Sequence, residues 1–420
     1  MLKTRDHGGG LDVAISKYGG TREQWLDLST GINPTSYTIP KIPQHFWTSL
    51  PDSKAQKELL IQAGKFWGIP HNSNIMAASG VSQLIAILPN LLPANRVKII
   101  SPTYNEHAAA FMSNGWEVGD TGNVQVIVNP NNPDGLYHQI TEEDAKDFEL
   151  IIIDESFCDI TPDKSLIHLA KQDNVIILKG LGKFWGLAGL RLGFAIASPK
   201  LIESIISHVG PWAVSGPAQF IGKAALSDSH WIDNTRIRLK KDSTRLDQLM
   251  SSKNIKAIGG TDLFRLYEVK NAHMIQDKLA QSFIWSRIFP YSENWLRLGI
   301  PGNQSEWMRL AKALEEYMNT LQILLLALIL DYLIGDPSKV WSRIPHPAVL
   351  MGKLVSWFDN SLNVGSALKL KGILTIFSLS LIALLIGQFV HSLPDYGLIE
   401  LLFTTILLAH NSLIKHVKDV

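Results

Sequence analysis

The chain of 420 residues contains one cysteine, Cys158, which excludes an internal disulfide and fits a reducing compartment. It also has almost no net charge: 39 lysine and arginine residues stand against 38 aspartate and glutamate residues, so no long-range field draws it to nucleic acid or to an acidic surface. Its opening, Met1-Leu-Lys-Thr-Arg-Asp-His7-Gly-Gly-Gly, holds no apolar run of export length, and the N-terminal part is expected in the cytoplasm. No internal repeat or low-complexity segment occurs, and no metal site is expected.

The composition changes near Thr320. Before it, short apolar runs alternate with helix-length segments. Val97–Ile100, Val124–Val128, Leu150–Ile153 and Val175–Leu178 are β-rich and bounded by turn residues, as buried parallel strands are. Ser82–Leu91 and Asn105–Asn114 have the length of helices. This alternation predicts an α/β fold, a doubly wound, mostly parallel sheet with its site at the carboxyl ends of the strands. A helical stretch around Ile202–His208 leads into a smaller α/β terminal domain containing Leu263–Tyr267, Phe283–Phe289 and Trp295–Leu298. Residues 1–320 are thus expected to form a catalytic domain and 321–420 a helical membrane segment.

Beyond Thr320, the runs Leu321–Leu330, Ile373–Val390 and Leu398–Ala409 are nearly free of charge. Ile373–Val390 is about long enough to cross a hydrocarbon layer of ~30 Å, and the other two are short. Lys339, Arg343, Lys353, Lys369 and Lys371 precede it, whereas the connector His391–Glu400 has no lysine or arginine. A hairpin of the two later runs therefore puts every basic loop on the cytoplasmic side. Asp331 is expensive in lipid, so the first run is expected to be re-entrant or to lie on the surface. These features predict an inner cell membrane location in contact with lipid, with the catalytic domain cytoplasmic.

Asn132 lies in Asn129-Pro-Asn-Asn-Pro-Asp-Gly135 and Asp154 follows Ile151-Ile-Ile. Lys183 and Arg191 lie in Ile177-Leu-Lys-Gly-Leu-Gly-Lys183-Phe-Trp-Gly-Leu-Ala-Gly-Leu-Arg191-Leu-Gly-Phe194. In this order they supply what a pyridoxal-phosphate site requires: a donor to the ring oxygen, a carboxylate against the pyridine nitrogen, an amine for the aldehyde, and a cation for the phosphate. Lys183 lies in a Gly-rich turn after a strand, where an amine can be desolvated and its pKa lowered. Lys179 competes, but Lys183 has the better spacing to Arg191. The plainer readings are a solvated loop lysine, an N-capping Asp154 and a turn-forming Asn132. Glu155 is expected to pack or cap nearby.

Gly80, Val81 and Ser82 open a helix after the extended Ile75–Ala78, where free N–H groups bind phosphate. Tyr104, in Ser101-Pro-Thr-Tyr-Asn-Glu-His107, has a face suited to stacking on the cofactor ring, or is an ordinary half-buried tyrosine. Arg287 and Arg297 either clamp a carboxylate and a phosphate or are solvated strand arginines.

Together these segments resemble the class I/II aminotransferase group of fold-type I pyridoxal-phosphate enzymes over about residues 5–318. Within that group, His7-Gly-Gly, Leu28-Ser-Thr-Gly31-Ile-Asn33-Pro, the Tyr104 motif and Asp154-Glu-Ser-Phe-Cys-Asp159 are most similar to the threonine-phosphate decarboxylase family of cobalamin biosynthesis. The resemblance implies a homodimer that converts O-phospho-L-threonine to (R)-1-amino-2-propanol O-2-phosphate. It also implies that His7, Gly8, Gly31, Asn132, Arg287 and Arg297 hold the substrate. Phe157 stands where many aminotransferases have a tyrosine, and Gly180 and Gly182 replace hydroxyl residues. Backbone amides and Arg191 are then left to bind more of the phosphate, which weakens the rival reading, a histidinol-phosphate type of aminotransferase.

The tail has its own likeness. Leu324-Leu-Leu-Ala-Leu-Ile-Leu-Asp331-Tyr-Leu-Ile-Gly-Asp336-Pro, Ile344-Pro-His346-Pro-Ala-Val-Leu-Met-Gly352-Lys and Ala409-His-Asn-Ser-Leu-Ile-Lys-His416-Val resemble the start of the adenosylcobinamide-phosphate synthase family. About the first third of that family's length is present, which implies a tether, a docking piece for corrinoid-pathway enzymes, or the remnant of a broken fusion. A catalytically silent membrane assembly partner is the rival from outside enzymology.

Overall fold

The valine- and isoleucine-rich runs become a seven-stranded sheet in the computed structural model, which describes residues 6–315, 320–334, 341, 345–365, 367–391 and 398–408. Across the sheet the strands are Asn74–Ala78, Gly193–Ala197, Val175–Gly180, Leu150–Asp154, Val124–Val128, Arg96–Ile99 and Glu117–Gly119. Six run in one direction, and Gly193–Ala197 is antiparallel to both of its neighbours. The period-two alternation of side chains explains why such strands read as unbroken apolar runs. Ile151, Ile153 and Ile177 enter the core on one face, while Leu150, Ile152, Ile176 and Leu178 enter the core on the other. Each fully buried side chain of this size contributes roughly 1.5–3 kcal/mol.

Asp154 ends its strand beside Leu178, so Asp154 and the turn after Gly180 emerge at the same edge of the sheet. Ala78 and Gly193 are paired at that edge too, which brings the helix Val81–Ile87 alongside. This helix is shorter than expected. Pro89 has no N–H to donate, and Leu88–Leu91 tightens into a 3-10 turn.

A four-stranded antiparallel sheet, ordered Arg287–Phe289, Ser292–Gly299, Phe264–Glu268 and Lys256–Thr261, forms the smaller part with Leu246, Tyr267, Leu296, Leu298 and Leu310 in its core. The segment Phe283–Phe289 of the smaller domain holds two short strands. Ile284–Trp285 pairs in parallel with Leu26–Asp27, and Arg287–Phe289 turns to pair with Ser292–Gly299. The first pairing delivers Leu28–Asn33 to the edge where Asp154 emerges.

The chain divides into two compact units, Met1–Leu314 and Glu315–Val420. The second has helices Thr320–Ile334, Pro347–Leu362, Leu368–His391 and Leu398–Leu408. Among the described residues, Leu368–Val390 is the one helix long and apolar enough to cross a membrane. Thr320–Ile334 is an unbroken helix of 15 residues that packs on Leu398–Leu408 through Ile323, Ala327 and Leu401, with Asp331 buried. Gly335–Pro337, Ile344 and 409–417 of the tail motifs, the basic residues Lys339 and Arg343, and most of the connector after His391 lie outside the described residues.

One contact fastens the Asn132 loop to the small sheet. Gly135 donates to Asn131 O (2.8 Å) and Gly260 to Asp134 O (2.6 Å). Gly135 has φ +75°, and a Cβ there would lie 2.2 Å from the carbonyl oxygen of Gly260. Gly135→Ala is expected to lower the unfolding free energy by about 2–4 kcal/mol, read as a shifted urea midpoint.

Candidate active site

Two adjoining cavities, of about 670 and 220 Å³, open where the strand ends meet the small sheet. The inner one is lined by Gly80, Val81, Asp154 and Arg191, the outer by His7, Gly8, Arg287 and Arg297. Ser82, Tyr104, Asn132 and Lys183 line both, so the amine of Lys183 stands at their junction. Gly31 lines neither: with φ +63° it turns between Phe264 and Phe157, and its neighbour Thr30 faces the outer chamber.

Lys183 is half-buried in this narrow space. Its Nζ donates to Thr30 O at 3.1 Å and lies 5.1 Å from the centre of the Phe157 ring. Loss of hydration, then the positive charge of Arg297, pushes the amine down to about 8, against the opposing pull of Asp154 and Asp27. Lys179 has the opposite environment. It is 2% exposed, 2.6 Å from Glu155 and 3.7 Å from Asp159; burial works against its charge, but the two carboxylates outweigh it and raise its pKa. Glu155 also accepts from Ser165 Oγ (2.5 Å), Leu166 N (2.6 Å) and Asn129 Nδ2 (3.2 Å). Lys179 and Glu155 are therefore a satisfied structural pair.

Asp154 is 3% exposed and accepts three hydrogen bonds: from His107 Nε2 (2.9 Å), Ser156 N (2.9 Å) and Ser156 Oγ (2.5 Å). Burial alone would raise its pKa. His107 and then Ser156 overcome that and hold the carboxyl below its ordinary range.

Arg191 adopts φ +54° and points its Nη2 at Ser82 Oγ (3.3 Å). Gly80, at φ +83°, passes so close that a Cβ would meet the guanidinium at 2.8 Å. A side chain at Gly180 would strike Val81 at 2.9 Å, which explains why no hydroxyl residue stands there. The result is a cradle of guanidinium, hydroxyl and free N–H groups around the helix start, the donor set a phosphate requires.

Arg297 is 4% exposed. It donates to Asn132 Oδ1 and to Ser29 O (2.6 Å) and lies 4.9 Å from the centre of the Phe264 ring. Burial and the charge of Arg287 push it down to about 9, still a cation at neutral pH. Arg287 holds the carboxylate of Asp6. His7 Nε2 is 3.0 Å from Glu106, and Tyr104 lies between the His7 and His107 rings, at 6.3 and 6.0 Å. Sequence reasoning missed His107, Ser156, Thr30 and Asp6. His107 stood in a quoted motif, but only the folded helix Asn105–Ser113 aims it at Asp154.

A buried carboxylate, a desolvated amine and a phosphate cradle fit pyridoxal phosphate: Asp154 for the pyridine nitrogen, Lys183 for the aldehyde, and Arg191 with Ser82 for the phosphate. The family model for aminotransferase class I and II matches residues 120–314, and that for CobD/Cbib protein matches residues 324–420. Histidinol-phosphate aminotransferase from Sinorhizobium meliloti, solved in complex with pyridoxal-5'-phosphate, shares the fold with a TM-score of 0.63 at 16% identity, over 72% of this chain and 93% of that one. Fold and site together define a fold-type I pyridoxal-phosphate enzyme. The chain is 36% identical over 325 residues to a threonine-phosphate decarboxylase from Sinorhizobium sp (73% of this chain, 97% of that one), and 34% identical over 326 residues to one from Pseudomonas aeruginosa (74% and 97%). The chain belongs to the threonine-phosphate decarboxylase family.

A lysine amine attacks an aldehyde only when neutral, which for Lys183 means above about pH 8. Reconstitution of the cofactor-free protein with pyridoxal phosphate, followed by absorbance, is expected to quicken with rising pH and level off just above 8. An unshifted lysine would keep gaining rate towards pH 10.

Proposed function

We propose that residues 1–320 decarboxylate L-threonine O-3-phosphate to (R)-1-amino-2-propanol O-2-phosphate in cobalamin biosynthesis. The observation that carries this reading is the division of the site, with Lys183 at the junction of a cofactor-sized chamber and a second chamber lined by Arg287, Arg297 and His7. When bound, pyridoxal phosphate supplies an electron sink for the pair released from the substrate Cα.

The protein's own groups do the rest. Asp154, kept ionised by His107 and Ser156, holds a proton on the pyridine nitrogen. Arg191, Ser82 and the N–H groups of Val81 and Ser82 bind the cofactor phosphate, Tyr104 covers the ring, and Asn132 donates to the ring oxygen from its amide. Arg297, fixed by Asn132 and Ser29, orients the substrate carboxylate. Arg287, His7 and the backbone about Gly8 take the substrate phosphate, with Gly31 contributing by placing Thr30. Arg297 at the carboxylate and Arg287 with His7 at the phosphate would hold the substrate at both ends, and such two-point orientation decides which Cα bond breaks. Once carbon dioxide has left, Lys183 Nζ is the group positioned to return a proton to Cα.

We further propose that residues 321–420 form a membrane domain resembling the start of adenosylcobinamide-phosphate synthase. Ile376, Phe377, Leu384 and Phe389 on the Leu368–His391 helix are exposed and apolar, which supports contact with lipid of the inner cell membrane. The basic Lys353, Lys369 and Lys371 before its apolar core support a cytoplasmic catalytic domain. Exposed Trp47, Leu50 and Trp212 give a second copy of the chain apolar surface to bury, in keeping with a homodimer. Corrinoid-pathway enzymes are the partners such a tail would dock.

Cells expressing the full chain are expected to show O-phosphothreonine decarboxylation in the membrane fraction, with one carbon dioxide per substrate and no keto acid required. Without residues 321–420 the activity should become soluble. Turnover only with an added keto acid, and no carbon dioxide, would instead identify an aminotransferase.

A further inference from the structure

Arg287 is already occupied. Its side chain is 13% exposed, too dry to leave a guanidinium unpaired, and it grips Asp6 end-on: Nη1 donates to Oδ1, and Nη2 to Oδ2 at 2.7 Å. Nη2 and Asn105 Nδ2 both donate to the backbone oxygen of Asp6, at 3.1 and 2.7 Å. This two-point grip is the one arginine offers to a carboxylate or phosphate ligand.

The chain is pinned just beyond that grip. Gly9 N donates to Ser29 Oγ at 2.7 Å, and a Cβ on Gly8 would lie 2.5 Å from Ser29 O. Asp6, outside the pinned glycines, is 42% exposed, so its carboxylate passes readily into water. Both the outer chamber's lining and the ion pair thus include Asp6.

We propose that Asp6 is an internal competitor for Arg287: it keeps the guanidinium paired until an anionic group of the incoming substrate displaces it. The inference rests on the reading above, in which Arg287 binds such a group. The exchange also selects. An arriving monoanionic carboxylate gains little over an equivalent group already tethered at high effective concentration, whereas a phosphate ester carries a charge of about −1.5 to −2 and three acceptor oxygens. Asp6 therefore sets a threshold that phosphorylated substrates pass and unphosphorylated amino acids do not.

The test uses the full chain loaded with pyridoxal phosphate and titrated calorimetrically with inorganic phosphate. Asp6→Asn is expected to bind phosphate about tenfold tighter than wild type, the scale of one charge-assisted pair. Asp6→Glu should stay near wild type, and the gain should vanish in an Arg287→Gln background. Equal or weaker binding by Asp6→Asn, or a gain that persists without Arg287, overturns the competitor. Carbon dioxide release with unchanged phosphate affinity in Asp6→Asn would sink the competitor and leave the decarboxylase standing. Tighter phosphate binding in a protein that releases no carbon dioxide would support the competitor and reject the decarboxylase.

Discussion

Taking the Lys183 amine out of bulk water, beside a second cation at Arg297, is the constraint on which the site depends. A charged ammonium loses hydration there and is repelled by Arg297, so the neutral nucleophile becomes accessible near pH 8. Thr30 O gives the amine a direction, and Asp154 and Asp27 keep the penalty from becoming prohibitive. Four residues upstream, Lys179 is fully engaged by Glu155 and Asp159. Two lysines on one strand and its turn are thereby set apart, one held as a paired cation and the other with its charged form disfavoured, by burial and by the charges that stand beside them.

The same edge of the sheet assembles everything else. Parallel strands place Asp154 and the Lys183 turn side by side, and the reversed strand Gly193–Ala197 brings Gly193 against Val81 at the cradle. The break between the strands Ile284–Trp285 and Arg287–Phe289 lets the segment Leu28–Asn33 enter, and this short segment makes three contacts to two site residues. Ser29 O holds Arg297, Thr30 O meets Lys183, and Asn33 N donates to Lys183 O at 3.0 Å. Asn132 then links Arg297 to the loop that Gly135 and Gly260 fasten to the small sheet. The two chambers are therefore held by one connected set of short contacts.

The fold was legible wherever local pattern decides structure. Valine and isoleucine runs between turn residues marked the strands, and a carboxylate directly after one of them marked the sheet edge. The lysine spacing favoured Lys183 over Lys179, and in the structure Lys179 is paired with Glu155 and Asp159 whereas Lys183 lines both chambers. Contacts made across long sequence separations were not legible. His107 meets Asp154, and Asp6 meets Arg287, only because helix, strand and terminus converge in space. Local chemistry intervened in smaller ways: Pro89 ends the α-helix inside the helix-length segment Ser82–Leu91, and Ser286 separates two short strands that join different sheets.

The central claim is that Lys183 is the amine joined to the cofactor. Borohydride reduction of the protein loaded with pyridoxal phosphate, followed by peptide mass mapping, tests it most directly. The account predicts a pyridoxyl group on Lys183. A pyridoxyl group on Lys179, or none on a folded protein, would contradict it.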